Sequence, residues 1–273
     1  MFFGCAVDRM FMPGKLAAVL RLLIMPPALQ TIFSKRFMGR LFLGVLFVPA
    51  LLYAQDTAVE MWEEPRHQLM LEMDHLRLVS VNIPAGDTSL FHQHRFATVY
   101  VLIADALVAT QRKGDEGWKQ PGERPLRAAG TLMDRSDYVN DPFAHRVRNQ
   151  DDHALKLLAL VNMSPALNSV GKEAEPRTLL DNTWFREHRL SVGAGAQSEA
   201  LAFRNPAVVV QVSAGRSDAI PAVSTVERPS IQNLKTVPGA WSWHEGSPFR
   251  LRNLGTTRAD FVIVEVKKPI GPE

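Results

Sequence analysis

Three histidines carry the chemistry this sequence could do. His92-Gln93-His94 sets two imidazoles one residue apart. In an extended strand alternate side chains share a face, so His92 and His94 point one way and Gln93 the other. A third imidazole from a neighbouring strand would complete a three-nitrogen metal site, and His145 is the candidate. Gly86 lies ahead of the first pair and Asn149 follows His145 by four residues.

Positioning these side chains requires strands, and the flanking sequence reads as strands. Leu76–Ile83 is apolar and β-branched and is stopped by Pro84-Ala85-Gly86. His67–Met73 alternates loosely, and Asp74-His75 makes a turn. Ala97–Ile103, Leu107–Arg112 and Ala154–Asn162 are further strands, and the Gly-, Pro- and charge-rich Lys113–Arg127 is a surface loop. No long helical period appears.

The second half repeats the first. Shifted by 109 residues, Arg77–Ile103 lies on Arg186–Val212 without a gap, and seven of 27 positions are identical, among them Gly86/Gly195 and Ser89/Ser198. Shifted by 104, His145-Arg146-Val147-Arg148-Asn149 lies on Phe249-Arg250-Leu251-Arg252-Asn253. Two copies of one β unit is the economical reading. The copies are expected over residues 55–165 and 178–269, with a link near Met163–Arg177. The repeat is also an internal control. In copy two the three histidine positions become Leu201, Phe203 and Phe249, so the scaffold accepts hydrocarbon there. Buried imidazoles without partners cost free energy, and three converging ones call for something that binds them.

On these residues the chain resembles the cupin superfamily, and its doubled layout resembles a bicupin. Gly86, His92 and His94 fit the first cupin motif, and His145 with Asn149 fits the second. The first motif's Glu is absent, with Thr98 and Val99 at its allowed positions, and its closing Gly is replaced around Asp105 and Ala106. The likeness spans about residues 60–267. It implies an all-β fold of two tandem cupin barrels of the jelly-roll type, the first holding a divalent ion through His92, His94 and His145. Three neutral imidazoles leave the ion's charge uncompensated and two or three positions open, which suits Fe, Mn, Ni or Zn without choosing among them. It further implies a small-molecule partner and oxygenase-like chemistry. The alternative is a cupin module that binds a small ligand without turnover. A homodimer through sheet edges is a further expectation.

Other residues are weighed beside these. Thr98 and Tyr100 share a strand face and are candidates for the pocket wall, although a strand Thr and a core Tyr are the plainer readings. Trp118 is read as a loop Trp packed on the surface or covering the barrel mouth. Trp241 and Trp243 share a face and are read as core, with an apolar ligand pocket in the second copy as the alternative. Arg146, Arg148, Arg250 and Arg252 are expected to be solvated or to pair between copies, and Glu63-Glu64 to be a solvated N-terminal segment. Asn149 and Asn253 are expected to hold turns.

Composition bounds the rest. The 273 residues are 46% hydrophobic and 22% charged, a globular balance. The formal charge of +3 belongs to the N-terminal stretch: residues 1–54 hold six of the 31 basic residues and one of the 28 acidic ones. The remainder carries 25 basic against 27 acidic residues, which gives no electrostatic reason to bind nucleic acid. Leu41–Ala54 is an apolar run behind Lys35, Arg36 and Arg40, the layout of a secretory signal with cleavage after Ala54. Residues 1–54 are therefore expected to be a leader, with the true start at Met25 or Met38. The mature protein would be exported without stable membrane insertion. The only cysteine, Cys5, would leave with the leader, so no disulfide is expected.

Overall fold

The computed structural model describes residues 57–165, 180–221 and 238–267. The expected leader, its cleavage point, residues 166–177 of the expected link, and residues 178–179, 222–237 and 268–269 of the expected second copy lie outside these. No helix among the described residues is long and apolar enough to cross a membrane.

Among them every regular element is a strand, apart from two short 3-10 turns at Met61–Glu63 and Ser136–Val139. The first half holds β1 (Val59–Glu60), β2 (His67–Glu72), β3 (Leu76–Ile83), β4 (His92–His94) and β5 (Ala97–Ala104). It continues with β6 (Val108–Arg112), β7 (Leu132–Arg135), β8 (Phe143–Asn149) and β9 (Leu155–Asn162). One sheet runs β1-β4-β8-β6 and the other β2-β3-β9-β5-β7. Their facing sides share a core that includes Met61, Val79, Val81, Leu102, Leu157, Ala159 and Val161, with Val108 and Val147 from the smaller sheet.

The second half holds β10 (Phe185–Val192), β11 (Ala207–Gln211), β12 (Ser217–Pro221), β13 (Trp241–His244), β14 (Phe249–Asn253) and β15 (Ala259–Val266). They form a sheet in the order β10-β15-β11-β13 and a pair β12-β14. Here too a core lies between the layers, drawing on Val209, Ala219, Phe249, Leu251, Phe261 and Ile263.

The doubling is seen strand for strand. β3 falls on β10, β6 on β12 and β7 on β13 at an offset of 109, and β9 falls on β15 at 104. The bridge between His92 and His145 recurs as the bridge between Leu201 and Phe249. Asn149 and Asn253 do the same work in each copy. Each donates its amide to the carbonyl four residues on (His153, Thr257) and accepts from the N–H two residues on (Asp151, Gly255). Each also reaches back to the end of the opening strand, at Ile83 and Val192. Gly86 and Gly195 both take left-handed backbone, φ 70° and 65°, the conformation in which a Cβ is penalised.

A third core joins the halves. Leu76, Leu78, Val99, Val101, Leu158 and Leu160 pack with Phe185, Val208, Val210, Val262 and Val264, and Trp241 and Trp243 pack against the same cluster. β3, β5 and β9 therefore contribute side chains to cores on both of their faces, and their polar residues, such as Arg77, Asn82 and Lys156, fall mainly near the strand ends.

Several loop expectations are sharpened. Trp118 lies on the outer side of the smaller sheet, with the Arg146 and Arg148 guanidiniums 4.8 and 4.3 Å from its ring. It does not cover the barrel mouth. Arg146 also donates to Gln111, and Arg252 pairs with Asp218, so these arginines are held within their own half. The expectation of a solvated Glu63-Glu64 holds for the first residue and fails for the second: Glu64 is buried, because its carboxylate is taken up by backbone donors.

Candidate metal centre

β4 is only three residues long, and its position is set by its neighbours. It pairs antiparallel with β8, opposing His92 to His145 and His94 to Phe143. On its other side it pairs parallel with β1, opposing Val59 to His92. Directly opposed residues share a face, so His92 and His145 are adjacent and His94 stands two residues along on the same side. All three turn inward.

The three rings form a nearly equilateral group, with centroids 4.9, 4.8 and 4.7 Å apart. One nitrogen from each lies within 4.8 Å of the others. The Nε2 atoms of His94 and His145 are 3.0 Å apart. Two imidazole nitrogens bound to one ion at about 2.1 Å each would stand about 3.0 Å apart at a right angle and about 3.4 Å apart at the tetrahedral angle.

Two of the far nitrogens have partners, and for His92 the partner frees the near nitrogen. His92 Nδ1 lies 3.0 Å from the Leu90 carbonyl, which can only accept, so His92 carries its proton there and leaves Nε2 bare. His94 Nδ1 lies 3.3 Å from the Tyr100 hydroxyl. Tyr100 is in turn hydrogen-bonded to Tyr138, and burial first, then Tyr138, holds its phenol well above the ordinary range. Burial is also the main force on the imidazoles. It pushes His92 down to about 3, with His67 adding to the effect, and holds His94 and His145 well below their usual value. Neutral imidazole is the form that ligates a metal, so a divalent ion would meet three ready donors.

Aromatic side chains wall the site. Tyr138 and Phe143 lie 4.7 and 5.5 Å from the His94 ring, and Phe143 is 5.2 Å from His145. The Arg112 and Arg135 guanidiniums sit over Phe143 and Tyr138, each at 4.3 Å. Of the two residues expected on the pocket wall, Tyr100 reaches His94 as described. Thr98 is buried and spends its hydroxyl on the Phe96 carbonyl, 3.0 Å away.

Sequence reasoning missed four neighbours. Met61 is buried in the core beneath the site, and its carbonyl lies 2.7 Å from His67 Nδ1. His67 is a fourth buried imidazole, 4.7 Å from the His92 ring and held neutral by burial at about 4. Tyr138 stands in a 3-10 turn, and Glu64 lies behind His67. His67 opens an alternating strand, which is a weak inward signal. Glu64 and Tyr138 had none, because long-range pairing alone brings them here.

The second half fills the equivalent space. Phe203 lies 6.0 Å from Phe249, and His244 stacks flat on Phe249 at 3.6 Å. The two histidines nearby are satisfied within the protein, His188 by Glu265 at 2.7 Å and His244 by Ser242 at 2.8 Å.

A scan against protein-family models finds no match, and neither does a search of curated protein sequences. Solved structures give distant likenesses. AerE from Microcystis aeruginosa is 9% identical with a TM-score of 0.48, covering 75% of this chain and 99% of its own. A cupin 2 conserved barrel domain protein from Leptotrichia buccalis is 12% identical with a TM-score of 0.46, covering 77% and 92%. A salicylate 1,2-dioxygenase from Pseudaminobacter salicylatoxidans is 11% identical with a TM-score of 0.45, covering 70% of each chain.

Proposed function

We propose, taking the chain as a member of the cupin superfamily by its doubled all-β fold and its motif residues, that it is a metal-dependent enzyme acting on a small molecule with oxygenase-like chemistry. The observation that carries this reading is the convergence of His92, His94 and His145, one nitrogen of each within 4.8 Å of the others. These residues would hold a divalent ion of the Fe, Mn, Ni or Zn type. Bound there, the ion supplies a Lewis acid or redox centre with open positions for substrate or oxygen.

The chain's own residues do the remaining work. Leu90 and Tyr100 fix the orientation of His92 and His94. Tyr138 and Phe143 offer flat apolar surface to a ligand and keep water from the imidazoles. The second half contributes the shared core that backs β5 and β9. The protein works as an exported one, its leader cut after Ala54, and N-terminal sequencing of protein recovered outside the cytoplasm tests this.

One observation favours a second reading, a module that binds a small ligand without turnover. Thr98 stands where the cupin motif has its carboxylate, and its hydroxyl is committed to Phe96. Oxygen uptake by the metal-loaded protein against a panel of small aromatic and aliphatic acids separates the two. Uptake that is lost in His92→Ala supports the enzyme. Ligand binding that is equal in wild type and His92→Ala, with no uptake, supports the module.

A further inference from the structure

Three neutral imidazoles around a divalent ion leave two positive charges in a buried site, and the carboxylate that the cupin motif would place beside them is missing. The structure holds a carboxylate on the opposite side of the cluster. Glu64 is fully buried, its side chain 0% accessible. One carboxylate oxygen, Oε1, accepts the Leu90 N–H at 3.0 Å. The other, Oε2, accepts the Arg66 N–H at 2.6 Å and lies 3.7 Å from His67 Nε2.

Cationic compensation for Glu64 is thin among the described residues. Arg66 reaches it with one nitrogen at 3.5 Å, while its Nε and Nη2 are spent on Asp87 at 2.9 and 2.8 Å. His67 has Nδ1 against the Met61 carbonyl and its ring edge-on to His92. A buried carboxylate with so little positive charge against it is costly unless something nearby offsets it.

Two routes connect Glu64 to the metal centre, and both end on His92. One is the Leu90 peptide, whose N–H goes to Glu64 and whose carbonyl takes the His92 Nδ1 proton. The other is packing alone: the His67 ring touches both, its Nε2 3.7 Å from the carboxylate and its ring edge-on to His92, with its proton held on Nδ1 by the Met61 carbonyl. We propose that Glu64 is the charge-compensating and positioning carboxylate of this centre, an outer group serving in place of the inner carboxylate that Thr98 has replaced. This inference rests on the metal-centre reading above. It assigns Glu64 no contact with the ion or the substrate. Its field and its grip on Leu90 favour a cation at the three imidazoles.

The test is Co2+ affinity, measured on the purified, chelator-stripped full chain by competition with a chromophoric chelator, beside thermal unfolding of the metal-free protein. Glu64→Gln keeps an oxygen for the Leu90 N–H and removes the charge. Its Co2+ affinity is expected to fall about tenfold to a hundredfold, the usual effect of losing an outer partner of a metal ligand. The metal-free variant should still unfold in one cooperative transition, the removed buried charge and the lost acceptor of the Arg66 N–H acting in opposite directions. Adding Thr98→Glu to that variant should restore most of the affinity. Arg66→Gln, which leaves Glu64 in place and takes away its nearest cation, should tighten Co2+ binding roughly threefold. That arm stands even where Glu64→Gln fails to fold. Wild-type affinity in Glu64→Gln alongside lost binding in His92→Ala overturns the inference and leaves the metal centre standing, as does unchanged or weaker binding in Arg66→Gln. A wild-type protein that binds no Co2+ overturns the metal-centre reading and this inference together.

Discussion

At the scale of single residues, the centre depends on imidazoles kept neutral and aimed. Tyr100→Phe removes the partner of His94 Nδ1 and leaves a buried polar nitrogen unpaired. Affinity for Zn2+ or Co2+ should fall about tenfold, and the metal-free protein should lose on the order of 1 kcal/mol; chelator competition and urea denaturation read the two effects separately. The buried histidines also set an acid limit. His92, His67 and His244 are pushed down to about 3, about 4 and about 4, all from an ordinary value of 6.5. Between those values and 6.5 the unfolded chain binds protons that the folded chain does not, so stability rises with pH across that window and is lost as pH falls through it. Each such group contributes a slope of about 1.4 kcal/mol per pH unit there. Urea midpoints of the metal-free protein from pH 7 to 4 should show this slope. His244→Phe, which lies outside the metal centre, should make it shallower by one group's share.

At the scale of elements, the short strand β4 is held by partners on both sides, and β1 is the less obvious of them. A chain beginning at Gln55 should bind metal as the longer chain does. One beginning at Arg66, lacking β1, Met61 and Glu64, should not, and metal titration of the two purified proteins checks this. The motif residues outside the metal set are turn devices. Asn149 makes one buried and one part-buried donation and one acceptance, so Asn149→Ala should cost about 3 kcal/mol. Gly86→Ala should cost about 1 kcal/mol, from backbone strain alone, because a Cβ there meets nothing within 4 Å. Much of this was legible in the sequence. The His-X-His spacing gave the shared face, the offsets of 109 and 104 gave the doubled strands, and the matched Asn pair gave the turns. Glu64 and His67 were not legible as neighbours of the site, because nothing local says that an acid before a proline will be folded against the segment leading into β4, 26 residues on. The sequence likewise held no sign that the Tyr138 turn would stand beside His94, since it has no apolar alternation.

At the scale of the whole molecule, the second copy is a structural partner. Where the first copy has His92, His94 and His145, it carries Leu201, Phe203 and Phe249, and it lends its Val208, Val210, Val262 and Val264 to the core between the halves. Val208→Asp would bury a charge against Val99 and Leu160 with no partner. It should cost about 4 kcal/mol or more, seen as a large fall in thermal unfolding temperature and a loss of metal binding in a half that the substitution does not belong to. The central claim is that three imidazoles from β4 and β8 hold one ion. Its most direct test is elemental analysis of the purified chain after loading with Fe, Mn, Ni or Zn and removal of free metal. The account predicts about one divalent ion per wild-type chain and a near-complete loss in a folded His145→Ala variant; a folded wild-type protein that retains none of these metals, or a His145→Ala variant that retains as much, contradicts it.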